Sequence, residues 1–133
     1  MAVKRITVHC VEVEDAPGGL QKLLVEAASG GVDLQCFAAF SAGGGRGKVY
    51  LSGKNPKALE ACAEKAGISV SSAAGFIISG DDRVGVAAEA LEGLADAGIN
   101  GVAGAAIVCD SEYRMLIVVD AADGESAAEA LGA

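Results

Sequence analysis

The chain is written twice, and no other feature limits its folds so much. Slid against itself by 67 residues without a gap, it lays Asp15 on Asp82, Gly18 on Gly85, Leu24 on Leu91 and Ala28 on Ala95. Further on, Gly31 meets Gly98, Val32 meets Ile99, Val49 meets Leu116 and Leu51 meets Val118. After a small shift, Ala58-Leu59-Glu60-Ala61 falls on Ala127-Ala128-Glu129-Ala130. Self-similarity at a fixed period marks one supersecondary unit used repeatedly. A chain of 133 residues holds one ordinary domain or two small ones, and the repeat selects two, at 1–72 and 73–133.

Each copy reads in the same order. Ile6 to Val13 is rich in β-branched residues and predicts a strand, as does Phe76-Ile77-Ile78 in the second copy. A glycine-bearing turn follows, then a helix. Leu20, Leu23, Leu24, Ala27 and Ala28 form one apolar stripe, matched by Val86, Ala90, Leu91, Leu94 and Ala95. Gly30-Gly31 and Gly98 stop these helices. Leu34 to Phe40 and Lys48 to Leu51 predict two strands around an AGGGRG hairpin loop. Val102 to Val108 and Met115 to Val119 are their counterparts. Second helices are predicted over Pro56 to Ala66, with proline suited to a first helical turn, and over Ser126 to Leu131.

The order β-α-β-β-α-β is the ferredoxin-like split βαβ unit. The expected fold is therefore α+β: two such units side by side, each an antiparallel sheet with its helices on one face. Ile68-Ser69-Val70 is expected to close the first copy as its fourth strand. The second copy stops at Ala133, directly after its helix, so it is expected to lack its last strand. A bare sheet edge invites pairing, and a homodimer with two-fold symmetry is the expectation.

Composition excludes several functions. The net charge of −8 has no Lys/Arg cluster to neutralise phosphates, and two Tyr, three Phe and no Trp offer few stacking platforms, so nucleic acid is set aside. No run approaches the ~18 apolar residues of a membrane span, and Met1-Ala2-Val3-Lys4-Arg5 leads into a strand instead of a signal peptide. A cytoplasmic location without membrane contact is expected. Cys10, Cys36, Cys62 and Cys109 form no CxxC pair and lie within apolar patterns, as reduced core cysteines would. With His9 the only histidine, set in a strand pattern, no metal site and no cofactor is expected. AGGGRGKV resembles a phosphate loop, but Ala42 stands where that loop needs glycine and Val49 where it needs Ser or Thr. No Ser or Cys has a His and a carboxylate in register with it, so no catalytic residues are expected.

The chemistry concentrates in two turns, EDAPGGLQKLL (Glu14 to Leu24) and GDDRVGVAAEAL (Gly80 to Leu91). Each joins a strand to a helix start, where unpaired N–H groups and the positive end of the helix dipole attract carboxylates. Gly18, Gly19 and Gly85 would let a ligand approach the backbone closely. The competing reading makes Asp15 and Asp82 plain helix caps that accept those same N–H groups.

These residues carry a resemblance. Two β-α-β-β-α-β copies with D-x-P-G-like turns resemble tandem ACT domains, over nearly the whole chain. The second copy, DDRVGVAAEALEGLADAGINGVAGAAIVCDSEYRMLIVV, is similar to the ACT regions of aspartate kinases in its G-V-A, helix, G-I-N arrangement. The first, VEVEDAPGGLQKLLVEAASGGVDL, resembles stand-alone ACT domains with their D-x-P-G-x-L turn. The resemblance implies a regulatory module that binds an amino acid between two ACT units and signals to a metabolic enzyme or regulator. Carried over, the site comprises Asp15, Ala16, Pro17, Gly18, Gly19, Leu20, Asp33 and Leu34 in the first copy. In the second it comprises Asp82, Arg83, Val84, Gly85, Val86, Asn100 and Gly101. Arg83 and Val84 depart from the usual small residue and proline, while Asn100 matches the G-I-N of the kinases. The alternative is a structural interaction and oligomerisation module without ligand.

Overall fold

A computed structural model describes all 133 residues, Met1–Ala133. The elements are β1 (Ala2–Glu14), α1 (Gly19–Ser29), β2 (Leu34–Gly43), β3 (Arg46–Gly53), α2 (Pro56–Ala66), β4 (Ser71–Asp81), α3 (Val86–Asp96), β5 (Ala103–Cys109), β6 (Glu112–Val119), a 3-10 turn (Ala121–Asp123) and α4 (Gly124–Leu131). The ladders β1/β3, β2/β3, β4/β6 and β5/β6 are all antiparallel. The architecture is α+β, with antiparallel strands and four helices.

The chain divides into two compact units: Thr7–Ser72, and Ala73–Ala133 joined by Met1–Ile6. The first six residues thus belong with the second unit, whereas the sequence places them with the first.

In the first unit the strand order is β2-β3-β1. Val11 faces Val49 and His9 faces Leu51 across β1 and β3, so one sheet face gathers alternate residues. That face meets Ala27 of α1 and Leu59 of α2, with Leu20 and Leu23 of the α1 stripe packed around them. His9 is fully buried and bonds through Nε2 to Glu60 of α2 at 2.9 Å. α2 starts as its sequence dictates. Asn55 caps it by accepting from the Lys57 N–H at 3.2 Å, and Pro56 opens the first turn, where no N–H is needed.

The expected strand Ile68–Val70 is not one; β4 begins at Ser71. After Gly67 turns left-handed, the Ile68 N–H donates back to the Ala63 carbonyl at 2.8 Å to finish α2. A donor used in a helix end cannot also serve a ladder, so the segment only leans Ile68 and Val70 on the core.

In the second unit the order is β1-β4-β6-β5, with β1 contributing its residues up to Ile6. The expected gap at the last strand is therefore filled by the chain's own beginning. Val3 packs against this unit's core, and Arg5 bonds Glu125 of α4 at 2.9 Å. Phe76 opposes Ile117 and Ile78 opposes Met115, and that face meets Val86, Ala90 and Leu94 of α3 and Ala127 and Ala128 of α4.

Candidate functional site

The two turns share one hydrogen-bond pattern, offset by the repeat. In the first, the Gly19 N–H donates to the Ala16 carbonyl and the Lys22 N–H to the Gly18 carbonyl. In the second, the Val86 N–H donates to Arg83 and the Glu89 N–H to Gly85. Gly18 (φ 85°) and Gly85 (φ 86°) are the N-caps, in a left-handed conformation that favours glycine, and no side chain caps either helix. Asp15 and Asp82 are thus not helix caps. Their main-chain N–H groups instead tie the turns to the facing hairpins, Asp15 to the Gly45 carbonyl at 3.0 Å and Asp82 to the Ser111 carbonyl at 2.8 Å. First-turn N–H groups lack intrahelical acceptors, so those of Leu20 and Gln21, and of Ala87 and Ala88, remain donors for a ligand.

The copies differ at the first helical residue. A Cβ on Gly19 would stand 2.1 Å from the Glu14 carbonyl oxygen, so that backbone crossing admits only glycine. In the second copy Val86 takes the equivalent place and buries its side chain in the core.

The first turn walls a concavity of about 210 Å³. Asp15, Ala16 and Leu20 form one side, and Phe40 and Ser41 of β2 with Lys48 and Val49 of β3 form the other. Phe40 stacks on Tyr50 with ring centroids 6.1 Å apart, and the Lys48 ammonium lies over the Tyr50 ring, 5.6 Å from its centroid. Contact with the Tyr50 side chain, with a smaller contribution from Cys10, holds the Lys48 pKa above its ordinary value. None of the four residues on the strand side stands out in the sequence. Phe40 and Tyr50, two of the five Phe and Tyr residues, around a glycine-rich hairpin are the only signal.

The other expected residues lie elsewhere. Asp33 and Leu34 sit past the far end of α1, about 16 Å along an 11-residue helix. The Asp33 carboxylate already faces a cation, the Lys54 ammonium at 2.9 Å, and its carbonyl accepts from the Lys54 N–H at 2.8 Å. In the second copy Asp82, Arg83, Val84 and Gly85 are exposed. Arg83 pairs with Glu89 of α3, a bond that raises the guanidinium pKa further and occupies the charge. Asn100 and Gly101 follow the opposite end of α3, with Asn100 exposed and Gly101 against Ile117. Within each unit, then, turn and post-helix residues are not brought together. No group of three or more His, Cys, Asp or Glu side chains is placed to hold a metal, all four cysteines are free, and no helix is long and apolar enough to cross a membrane.

No protein-family model and no curated protein matches the sequence. Solved structures do resemble it. A Bacteroides thetaiotaomicron protein superposes with a TM-score of 0.76 at 12% identity, over 96% of this chain and 88% of that one. The ligand-free regulatory subunit of aspartate kinase from Thermus thermophilus gives 0.65 at 19% identity, over 98% and 93%. The aspartate kinase of Synechocystis gives 0.66 at 23% identity over 98% of this chain, which spans 26% of that enzyme. The chain has the fold of the ACT-containing regulatory domains of aspartate kinases.

Proposed function

We propose that the chain is a regulatory, non-catalytic module that senses an amino acid and passes the signal to a partner enzyme or regulator, as a cytoplasmic homodimer. The observation that carries this reading is the uncapped helix start, built twice with the same hydrogen bonds. A ligand carboxylate suits those free donors and the helix dipole. In the first copy Asp15 borders the same concavity and supplies a charge for the ligand's ammonium.

A thermal-shift screen against the twenty amino acids at millimolar concentration tests it. A ligand at ~100 times its Kd adds about 2.7 kcal/mol, a rise of several degrees in Tm. Ala16→Asp and Val84→Asp each place an anion beside one turn, where it favours the helix but repels a carboxylate. Each is expected to remove the response of its own turn without lowering Tm in the absence of ligand. A flat screen with the wild-type chain would contradict the reading.

One observation favours the structural alternative. β5 ends the strand order, and its Ile107 and Val108 are 67% and 53% exposed, without a charged residue in the strand. Under that reading Ile107→Lys alters the oligomeric state and no amino acid shifts Tm.

A further inference from the structure

The seams between helices differ in the two units. In the second, a Cβ on Gly93 of α3 would stand 2.6 Å from the Ala130 carbonyl oxygen of α4, so the two backbones touch there. The residue 67 positions earlier, facing the seam of the first unit, is Glu26. There α1 meets α2 near its end, where the Cys62 thiol donates to the Glu26 carbonyl at 3.2 Å and a Cβ on Gly30 would lie 2.8 Å from Cys62 Sγ. A groove of about 430 Å³ is bounded by α1, β1 and the segment after α2. Val11, Val13, Leu23 and Ile68 line it, and Val11, Leu23 and Ile68 also line a small apolar cavity of about 20 Å³ beneath.

Lys22 and Glu26 flank Leu23 on the α1 face of this groove. The ion pairs of this unit join His9 to Glu60, Arg46 to Glu12 and Lys54 to Asp33, and use neither. Residues four apart on a helix have Cβ atoms about 5–6 Å apart. A zwitterion can span that gap, with its ammonium at Glu26 and its carboxylate at Lys22. A groove of this size suits a small molecule. Glu12 and Glu14 of β1 border it too, while Val11, Val13, Leu23 and Ile68 supply the apolar wall that suits an aliphatic side chain.

We propose that this groove is a binding site for an aliphatic α-amino acid of the leucine, isoleucine and valine class, separate from the two helix-start turns. At the equivalent level of the second unit, Gly93 lets α3 and α4 touch.

The experiment is a calorimetric titration of leucine into the Ala16→Asp/Val84→Asp chain, in which both turns are blocked. Leucine is expected to bind this chain, and adding Glu26→Gln or Lys22→Met is expected to weaken it roughly tenfold or more. Both side chains are exposed, so these variants keep the fold, which an unchanged melting midpoint confirms. Serine, which offers the apolar wall no side chain of matching size, is expected to give no binding in place of leucine. Binding unaffected by either groove variant, or no leucine binding to the turn-blocked chain, overturns the proposal. If the wild-type chain still responds to an amino acid in that event, the sensor reading survives; if it responds to none, both fall.

Discussion

The first and second units share an element order and part company in how tightly their helices are sealed onto the sheet. The second buries twelve apolar residues in one cluster with five more packed at its margin. The first buries six and leaves eight at the margin, among them Leu20, Leu23, Ile68 and Val70. The difference traces to a few positions. Phe76 and Ile78 fill the second core completely, and Gly93 lets α3 and α4 touch. In the first unit Glu26 stands where that glycine would be, and the apolar residues it fails to cover line a groove and the cavity under it. One element order thus yields two different helix seams, one with touching backbones and one bordered by a groove.

Replacements in equivalent roles can break that comparison. The largest effect is expected from Phe76→Ala, roughly 3–5 kcal/mol in urea denaturation, because the ring is fully buried. Leu59→Ala in the first unit should fall near ~2 kcal/mol, the low end for such truncations, because Leu59 already borders the cavity. Equal losses would mean that the two cores are equally tight. Next comes an exchange across the repeat. Gly93→Glu forces α3 from α4 and should cost ~1–3 kcal/mol, whereas Glu26→Gly should cost only the ~1 kcal/mol of a glycine inside a helix. A Gly93→Glu chain as stable as wild type would remove the closed seam from the account. The smallest effect concerns the second helices. Asn55→Ala deletes the cap of α2 and should cost ~1 kcal/mol, while Asp123→Ala should change almost nothing, since Asp123 makes no capping bond to α4.

What the sequence made legible is local in origin. The apolar stripes placed α1 and α3, and Pro56 placed the start of α2, because periodicity and a proline in a first turn act within a few residues. The start of β1 was not legible. Val3 and Arg5 join a sheet and a helix far along the chain, and nothing nearby signals it. Ile68–Val70 looks like a strand by composition, yet one hydrogen bond to Ala63 commits its start to a helix end. At the site, the two turns were visible as motifs, but the tie from Asp15 to Gly45 that stops it from capping α1 is a long-range bond. The same holds for Phe40 and Lys48, which meet Asp15 only through the sheet register. Lys22 and Glu26 read as ordinary surface charges until the seam beside them is seen to be open.

Amide hydrogen exchange tests the contrast between the units most directly, first on the free chain and then with leucine at millimolar concentration. Exchange is expected to be faster in α1 and α2 than in α3 and α4 of the free chain, since a less sealed seam opens locally at lower free energy. Leucine is expected to slow exchange in α1 and at the end of α2 and to leave α3 and α4 unchanged. Equal exchange in the two helix pairs, with no protection of α1 by leucine, would contradict that contrast.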